Sequence, residues 1–211
     1  MINKDFAFIK PFGPVIYSNL LNPDVVNVLN ECKTVSEYIN DDIGYMLAGA
    51  INSQLRLIRT VEQEQIIYDH IFEHFAAYMD RDPELLKKEY KIPNNGIWLN
   101  VQRAGEFNPP HHHDGHFSGV IYLEVPLELT EENKKKPVGF HLHGEISFYY
   151  GDDIGCQTYF HMMPKVAQMV IFPAKLQHGV HPFYSDVRRV SVAFNLYKLA
   201  EPMLLVDSQS T

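Results

Sequence analysis

The second half of the chain is a series of short segments with strong β-propensity. Six runs rich in β-branched and aromatic residues follow residue 95, and Gly, Pro or Asp separates them: GIWLNVQ, FSGVIYLEV, GEISFYYG, QTYFHMM, AQMVIFPA and RRVSVAFNLYKL. No helical period lies between them, which disfavours an alternating βα sheet and favours a β-sandwich or barrel. We therefore predict an all-β module over residues 96–211.

The first half has a different period, which predicts helices. Asn22 can cap a helix whose first residue is Pro23, and Thr60 with Gln63 forms a capping-box pattern at the start of another. We expect residues 1–95 to form a helical region that packs on the β module. The 211 residues would then make one structural domain, and the helices are candidates for a homodimer contact.

Charge and composition restrict the partners and the compartment. The net charge of −8 disfavours a nucleic-acid backbone as the main partner, because that needs a basic surface. The basic run Lys134–Lys136 lies in a polar stretch and predicts a solvated loop. Cys32 and Cys156 suggest no disulfide framework, and no leader peptide or membrane-spanning run is visible. We expect a cytoplasmic protein that does not contact a membrane.

The stretch NPPHHHDGHFSG contains two candidate ligand pairs in opposite phase: His111 with His113, and His112 with Asp114. Alternate residues of an extended strand share a face, so only one of these pairs can face a metal. A third ligand from a distant strand would complete a facial site of the kind found in non-haem iron oxygenases. His178, which follows the run VIFPA and a short loop, is the candidate for that third ligand.

Arg189 and Ser191 are the polar pair at the start of the last predicted strand, and they share one face. A guanidinium offers a rigid fork of donors that matches a carboxylate, and a neighbouring hydroxyl adds another donor. The β module is therefore expected to hold both a metal and a cosubstrate that bears a carboxylate.

Three of these stretches, taken in order, resemble a known family. PHHHDGHFSGVIYL, FPAKLQHGVHPF and RRVSVAFN are similar to motifs of the 2-oxoglutarate- and Fe(II)-dependent dioxygenase superfamily. The similarity is closest to its prolyl-hydroxylase-like branch and to the oxygenases of phage and bacterial genomes, and it covers about residues 98–195. The resemblance implies a double-stranded β-helix, or jelly roll, buttressed by the N-terminal helices, with Fe(II) and 2-oxoglutarate as cofactors.

The resemblance also implies roles for individual residues. His178 matches the distal iron ligand, Arg189 the arginine that binds the far carboxylate of 2-oxoglutarate, and Ser191 its hydroxyl partner. Gln102 and Tyr122 lie on the two strands that flank the cosubstrate in the resembled fold. They are candidates for hydrogen bonds to its carboxylates.

The near iron ligands remain open between two sets. The text PHHH aligns best with a P-H-x-H motif, which favours His111 and His113. That alignment leaves the site without the usual carboxylate, whereas His112 with Asp114 would supply one. Asp114 therefore stays a candidate for completing the iron site beside the histidines.

The expected activity is that of a dioxygenase of the hydroxylase type. It would use O₂ and couple decarboxylation of 2-oxoglutarate to succinate with oxidation of a C–H bond in a substrate that the sequence does not identify. Two alternatives are a three-histidine, cupin-like dioxygenase without 2-oxoglutarate and a jelly-roll metal-binding module without catalysis.

Overall fold

The computed structural model describes residues 7–10, 13–46, 49–135, 142–151 and 158–199. The helices in these ranges are α1 Pro23–Ile39, α2 Val61–Met79, α3 Pro83–Glu89 and α4 Leu127–Lys134, with a short 3-10 helix at Gly44–Met46. The strands are β1 Ala7–Ile9, β2 Ile16–Leu20, β3 Ser53–Arg56, β4 Tyr90–Lys91, β5 Ile97–Arg103, β6 Asn108–His111, β7 Phe117–Glu124, β8 Ile146–Tyr149, β9 Tyr159–Met162, β10 Gln168–Pro173, β11 Gln177–Val180 and β12 Arg188–Lys198.

The strands form two antiparallel sheets. The larger sheet has the order β1-β2-β10-β7-β12-β5-β3, with β4 paired to the end of β12, and the smaller sheet has the order β6-β11-β8-β9. Neighbours in these sheets are mostly distant in sequence, as they are in a jelly roll. The predicted mainly-β, jelly-roll fold is confirmed, and all six predicted runs contain a strand.

The two predicted helix starts have the expected caps. The Asn22 side chain accepts a hydrogen bond from the backbone N–H of Asp24 at 3.0 Å, and Pro23 is the first residue of α1. At α2, the Thr60 side chain accepts from the Gln63 N–H while the Gln63 side chain accepts from the Thr60 N–H. Each pair satisfies backbone donors that a helix leaves open at its start.

Two predictions about secondary structure were incomplete. The first 95 residues also contribute strands β1 to β4 to the larger sheet, so the helical region and the β module share one sheet. The polar stretch predicted as a loop begins with helix α4, which ends at Lys134. Because the stretch is mostly polar, its sequence did not indicate this short amphipathic helix, which buries Leu129. Lys136 and Cys156 lie outside the described residues.

The larger sheet separates the core from the interior of the jelly roll. One face packs against α1 and α2, and there Val190, Val192 and Phe194 of β12 are fully buried together with Ile71 and Phe75 of α2. The other face turns towards the smaller sheet, where a second apolar cluster lies. Among the described helices, none has both the length and the apolar character that crossing a bilayer requires.

Gly119 of β7 gives a stability prediction for this core. A methyl group at this position would overlap the buried ring of Phe194, which packs directly over the glycine. We expect Gly119→Ala to lower the free energy of unfolding in urea by about 1–3 kcal/mol, because a closely packed core resists added volume. The double variant Gly119→Ala/Phe194→Leu should lose less than the sum of its single changes. Strict additivity would contradict the proposed overlap.

Candidate metal centre and adjoining cavity

Three histidines converge in the space between the two sheets. The potential ligand atoms of His111, His113 and His178 all lie within 4.8 Å of one another. The ring centroids are 5.0 Å apart for His111 and His113, 4.5 Å for His111 and His178, and 5.1 Å for His113 and His178. We call this set the histidine triad. Three nitrogen ligands on one side leave the other side of a metal open for further ligands.

Strand pairing brings the triad together. His111 is the last residue of β6, and its register partner on β11 is His178. Two residues later, the backbone N–H of His113 donates to the carbonyl of Ala174 at 2.9 Å, which fixes the extended path of the intervening loop. The spacing of two between His111 and His113 then places both rings on the same side.

Backbone carbonyls orient two of the three rings. The Nδ1 atom of His111 lies 2.8 Å from the carbonyl oxygen of Pro109, and the Nδ1 atom of His178 lies 2.9 Å from that of Leu176. Because a carbonyl only accepts, each Nδ1 carries the proton and each Nε2 keeps its lone pair for a metal. This support is typical of histidines that ligate metals.

Burial keeps the triad neutral and therefore able to bind a cation. It lowers the pKa of His113 to about 4 and that of His178 to about 3, and it also lowers the pKa of His111. A buried imidazolium would lose its hydration without gaining a counter-charge. The described residues place no carboxylate within this ligand set.

The structure does not bring Asp114 or His112 to the triad. The Asp114 side chain is 96% exposed, and its carboxylate lies 3.5 Å from the Lys175 ammonium. His112 is also exposed. Both residues have the phase opposite to that of His111 and His113, and they line the cavity as exposed residues without joining the ligand set. The carboxylate-containing alternative is therefore not the arrangement observed.

A cavity of about 430 Å³ extends from the triad along the inner face of the larger sheet. The adjacent strands β7, β12 and β5 form one wall of the cavity. In this wall, Ser191 of β12 is the register partner of both Tyr122 of β7 and Asn100 of β5. Arg189, near the start of β12, lines the cavity. Trp98 lies beside the triad, with its ring centroid 5.9 Å from that of His113. The volume suits small ligands that lie next to a bound metal.

Arg189 is a buried cation without an acidic partner among the described residues. Its side chain is 2% exposed, and one terminal nitrogen donates to the carbonyl oxygen of Gly144 at 2.8 Å. Its Nε atom is buried and has no hydrogen-bond partner. Burial lowers the pKa of Arg189, although a guanidinium still keeps its charge at neutral pH. A buried, uncompensated charge of this kind is costly unless an anion binds it.

Tyr122 lies directly beside this cation. The Arg189 guanidinium carbon is 5.6 Å from the centroid of the Tyr122 ring. The Tyr122 hydroxyl is buried without a hydrogen-bond partner, and burial raises its pKa to about 12, so it remains a donor. Ser191 also lines the cavity. This part of the cavity therefore offers the Arg189 guanidinium and the hydroxyls of Tyr122 and Ser191 to one ligand.

Gln102 lies on β5 as the register partner of Arg189, and its Oε1 atom is buried without a hydrogen-bond partner. It is fully buried, and its side-chain nitrogen donates to the carbonyl oxygens of Glu106 and His181. Its side chain does not line the cavity. These two acceptors come from a turn and from a distant segment, so the alternation of β5 alone could not indicate that the amide is already engaged.

Sequence reasoning missed the part of the cavity wall that β3 supplies. Gln54 and Arg56 of β3 line the cavity, and β3 pairs with β5 at the end of the larger sheet. The segment SQLR is too short and too polar to stand out as a strand. Trp98 of β5 is 4% exposed and also forms part of the wall.

The comparisons with known proteins agree with this geometry. Residues 96–195 match the family model described as "Putative 2OG-Fe(II) oxygenase". This match includes the triad, Tyr122, Arg189 and Ser191. No curated protein matches the chain in sequence.

Several solved structures share the fold. A prolyl-4-hydroxylase from Pseudomonas putida has a TM-score of 0.56 at 15% identity, over 89% of this chain and 93% of that chain. AviO1 from Streptomyces viridochromogenes Tue57 has a TM-score of 0.55 at 13% identity, over 93% and 91% of the two chains. A prolyl hydroxylase from Trichoplax adhaerens, solved with a hypoxia inducible factor peptide fragment, has a TM-score of 0.51 at 11% identity, over 92% and 83%.

The triad predicts how ligand variants will change metal affinity. We expect His113→Ala to weaken Fe(II) binding by more than about 100-fold, since even an outer-shell change costs 10- to 100-fold. Anaerobic competition with a chromophoric chelator measures this affinity. Asp114→Asn is the matched control and should change it by no more than about twofold, because an exposed carboxylate contributes little. A loss in Asp114→Asn equal to that in His113→Ala would make Asp114 a ligand.

Proposed function

We propose that the chain is a hydroxylase-type dioxygenase of the 2OG-Fe(II) oxygenase family in which the histidine triad holds the iron, because residues 96–195 match the model of that family. The family implies Fe(II) and 2-oxoglutarate as cofactors and O₂ as the oxidant. We further propose that the far carboxylate of 2-oxoglutarate binds at Arg189, Tyr122 and Ser191.

The donor set of the triad fits Fe(II). Imidazole nitrogen is a suitable ligand for ferrous iron, and the three rings approach from one side only. Backbone carbonyls accept from the Nδ1 atoms of His111 and His178, which leaves the Nε2 atoms of these two rings available to the metal. The pKa values of all three histidines are lowered, so protons do not compete with the metal near neutral pH.

The uncompensated charge of Arg189 is the observation that carries the proposal for 2-oxoglutarate. The described part of the chain provides a carbonyl but no carboxylate to this buried guanidinium, while the Tyr122 hydroxyl beside it is also unpartnered. A dicarboxylate that reaches from this corner to the triad would neutralise the cation and satisfy the hydroxyl. Binding would thereby remove the free-energy cost that the unpaired buried groups impose on the free protein.

The residues of the chain then have distinct roles. Fe(II) and 2-oxoglutarate together supply oxidative decarboxylation with O₂ and the hydroxylation of a C–H bond. Arg189 and Tyr122 fix one end of the cosubstrate, and the triad fixes the metal. Phe148 and Phe172, whose rings lie 6.3 and 4.6 Å from that of His178, help to exclude water from the centre.

The two alternative functions have less support. A three-histidine dioxygenase without 2-oxoglutarate would explain the missing carboxylate, but it gives no reason for a buried, unpaired arginine facing the cavity. A purely structural metal would be expected in a closed, fully ligated site, whereas the triad adjoins a cavity of about 430 Å³.

Replacing Arg189 separates these functions. In anaerobic protein loaded with Fe(II), 2-oxoglutarate should produce the visible charge-transfer absorption of its chelate. We expect Arg189→Ala to raise the 2-oxoglutarate concentration needed for half of this absorption by about 100-fold, because truncating one member of a buried charge pair costs 2–5 kcal/mol.

Arg188→Ala is the matched control. Arg188 has the opposite phase on β12, and its guanidinium bonds to Glu124 and Glu37 on the outer surface. This change should leave the titration as it is in the wild type. If Arg189→Ala titrates like Arg188→Ala, the cosubstrate does not bind at Arg189.

Tyr122→Phe tests the hydroxyl alone. We expect 2-oxoglutarate to bind about tenfold more weakly, since a hydrogen bond to a charged group is worth 1.5–3 kcal/mol. The cosubstrate-free variant should be no less stable to urea, because the change removes a buried donor that has no partner. Tyr78→Phe, whose hydroxyl donates to the carbonyl of Val15 outside the cavity, is the control. An unchanged affinity in Tyr122→Phe would remove Tyr122 from the site.

A further inference from the structure

The cavity wall continues from β12, which carries Arg189, onto β5 and β3. In the larger sheet, β12 pairs with β5 and β5 pairs with β3. Gln54 lies opposite Asn100, and Arg56 lies opposite Trp98. Because Trp98 also contacts the triad residue His113, this wall adjoins the metal centre, and Asn100 lies opposite Ser191 of β12.

Gln54 and Asn100 form a buried amide pair with unused polar atoms. Their side chains are 2% and 7% exposed, and the Gln54 Nε2 atom donates to the Asn100 Oδ1 atom at 2.9 Å. Among the described residues, this is the side-chain hydrogen bond of the pair; the Gln54 Oε1 and Asn100 Nδ2 atoms take no part in it, and both side chains line the cavity. The pair thus offers one acceptor and free amide donors to a ligand.

The charge of this wall is already balanced. The Arg56 Nε atom lies 2.7 Å from the Asp41 carboxylate, and another Arg56 nitrogen donates to the Asn95 side chain at 2.8 Å. A ligand that reaches this wall therefore meets no net positive charge. Burying a carboxylate here would cost desolvation energy without compensation, whereas a neutral group with both a donor and an acceptor would bond at little cost.

We infer that Gln54 and Asn100 recognise an amide group of the substrate, which is either a peptide bond or a carboxamide. An amide carries a carbonyl acceptor and an N–H donor, which complement the free Asn100 and Gln54 atoms. Apolar Ile43 and Ile51, which line the cavity nearby, suit the hydrocarbon that surrounds such a group. This inference rests on the proposed function, because it treats the wall beside the triad as the substrate side.

The recognition residue on β3 lies outside the family segment. Gln54 precedes residue 96 by more than forty positions, so the part of the chain that matches the family does not include it. The N-terminal region then has a functional role beyond buttressing the jelly roll. It supplies a specificity-determining side chain to a site whose metal ligands come from the family segment.

The test uses three sets of probes on the anaerobic protein loaded with Fe(II) and 2-oxoglutarate. N-acetyl amino-acid methylamides represent the peptide bond, amino-acid carboxamides represent the primary amide, and the matching carboxylic acids are the comparison. Binding is followed by ligand-observed NMR and by the change that each probe causes in the charge-transfer absorption. We expect one of the amide sets to bind more tightly than its acids, and the set that binds identifies the source of the amide.

Variants of Gln54 connect this binding to the wall. Gln54→Leu should weaken amide binding by about tenfold, the usual effect of losing a hydrogen bond in a site built for it. Gln54→Glu keeps the shape but adds a negative charge without donors, and it should also weaken binding. Gln168→Leu, which removes a buried amide bonded to Ser18 outside the cavity, is the control and should leave the amide affinity unchanged.

The outcomes distinguish this inference from the proposed function. Absence of the charge-transfer absorption in the wild type would contradict the proposed function, while NMR would still report on amide binding. The inference is overturned if no amide binds the wild type, or if Gln54→Leu leaves amide binding intact. It is also overturned if Gln54→Leu weakens 2-oxoglutarate as much as the amide, because the pair would then belong to the cosubstrate.

Discussion

The alternation of side chains along β12 is the constraint on which both the core and the cavity depend. Val190, Val192 and Phe194 turn to the helices and are fully buried there, while Arg189 and Ser191 turn to the cavity. A shift of one residue would exchange these sets, placing a guanidinium in the apolar core. Pairing with β5 on one side and β7 on the other fixes the register of β12. The same backbone hydrogen bonds therefore place the apolar residues in the core and the polar residues in the cavity.

The buried charge of Arg189 links stability to ligand binding. A guanidinium with a carbonyl partner and no carboxylate opposes folding of the free protein, and the unpartnered Tyr122 hydroxyl adds to this cost. The rest of the fold must offset that cost through apolar burial, of which the helix-facing side of the larger sheet has a large share. A dicarboxylate that satisfies both groups binds the folded chain only, so its binding also stabilises the fold.

The sequence predicted what depends on local alternation and could not predict what depends on distant contacts. The β-rich segments and the shared face of His111 and His113 follow from a period of two. The choice against Asp114 needed the path of the loop, which a bond to the Ala174 carbonyl fixes. Gln102 has the phase expected of a cavity residue, but carbonyls from a turn and a distant segment accept from its side-chain nitrogen, while its Oε1 atom stays without a partner. The sequence did not indicate that β3 contributes to the cavity, because a polar strand of four residues resembles a loop in composition.

Sheet order divides the site between two parts of the chain. β7 and β12, at the middle of the larger sheet, carry the residues proposed for the cosubstrate, and those residues lie within the range 96–195 that matches the family model. β3 lies at the end of the same sheet and comes from the N-terminal region, where Gln54 adds an amide to the wall. A jelly roll can therefore keep one metal centre while a different edge strand changes the groups that face the substrate. Since β5 lies between β3 and β12, the side chains of β3 can vary without disturbing the register of β12.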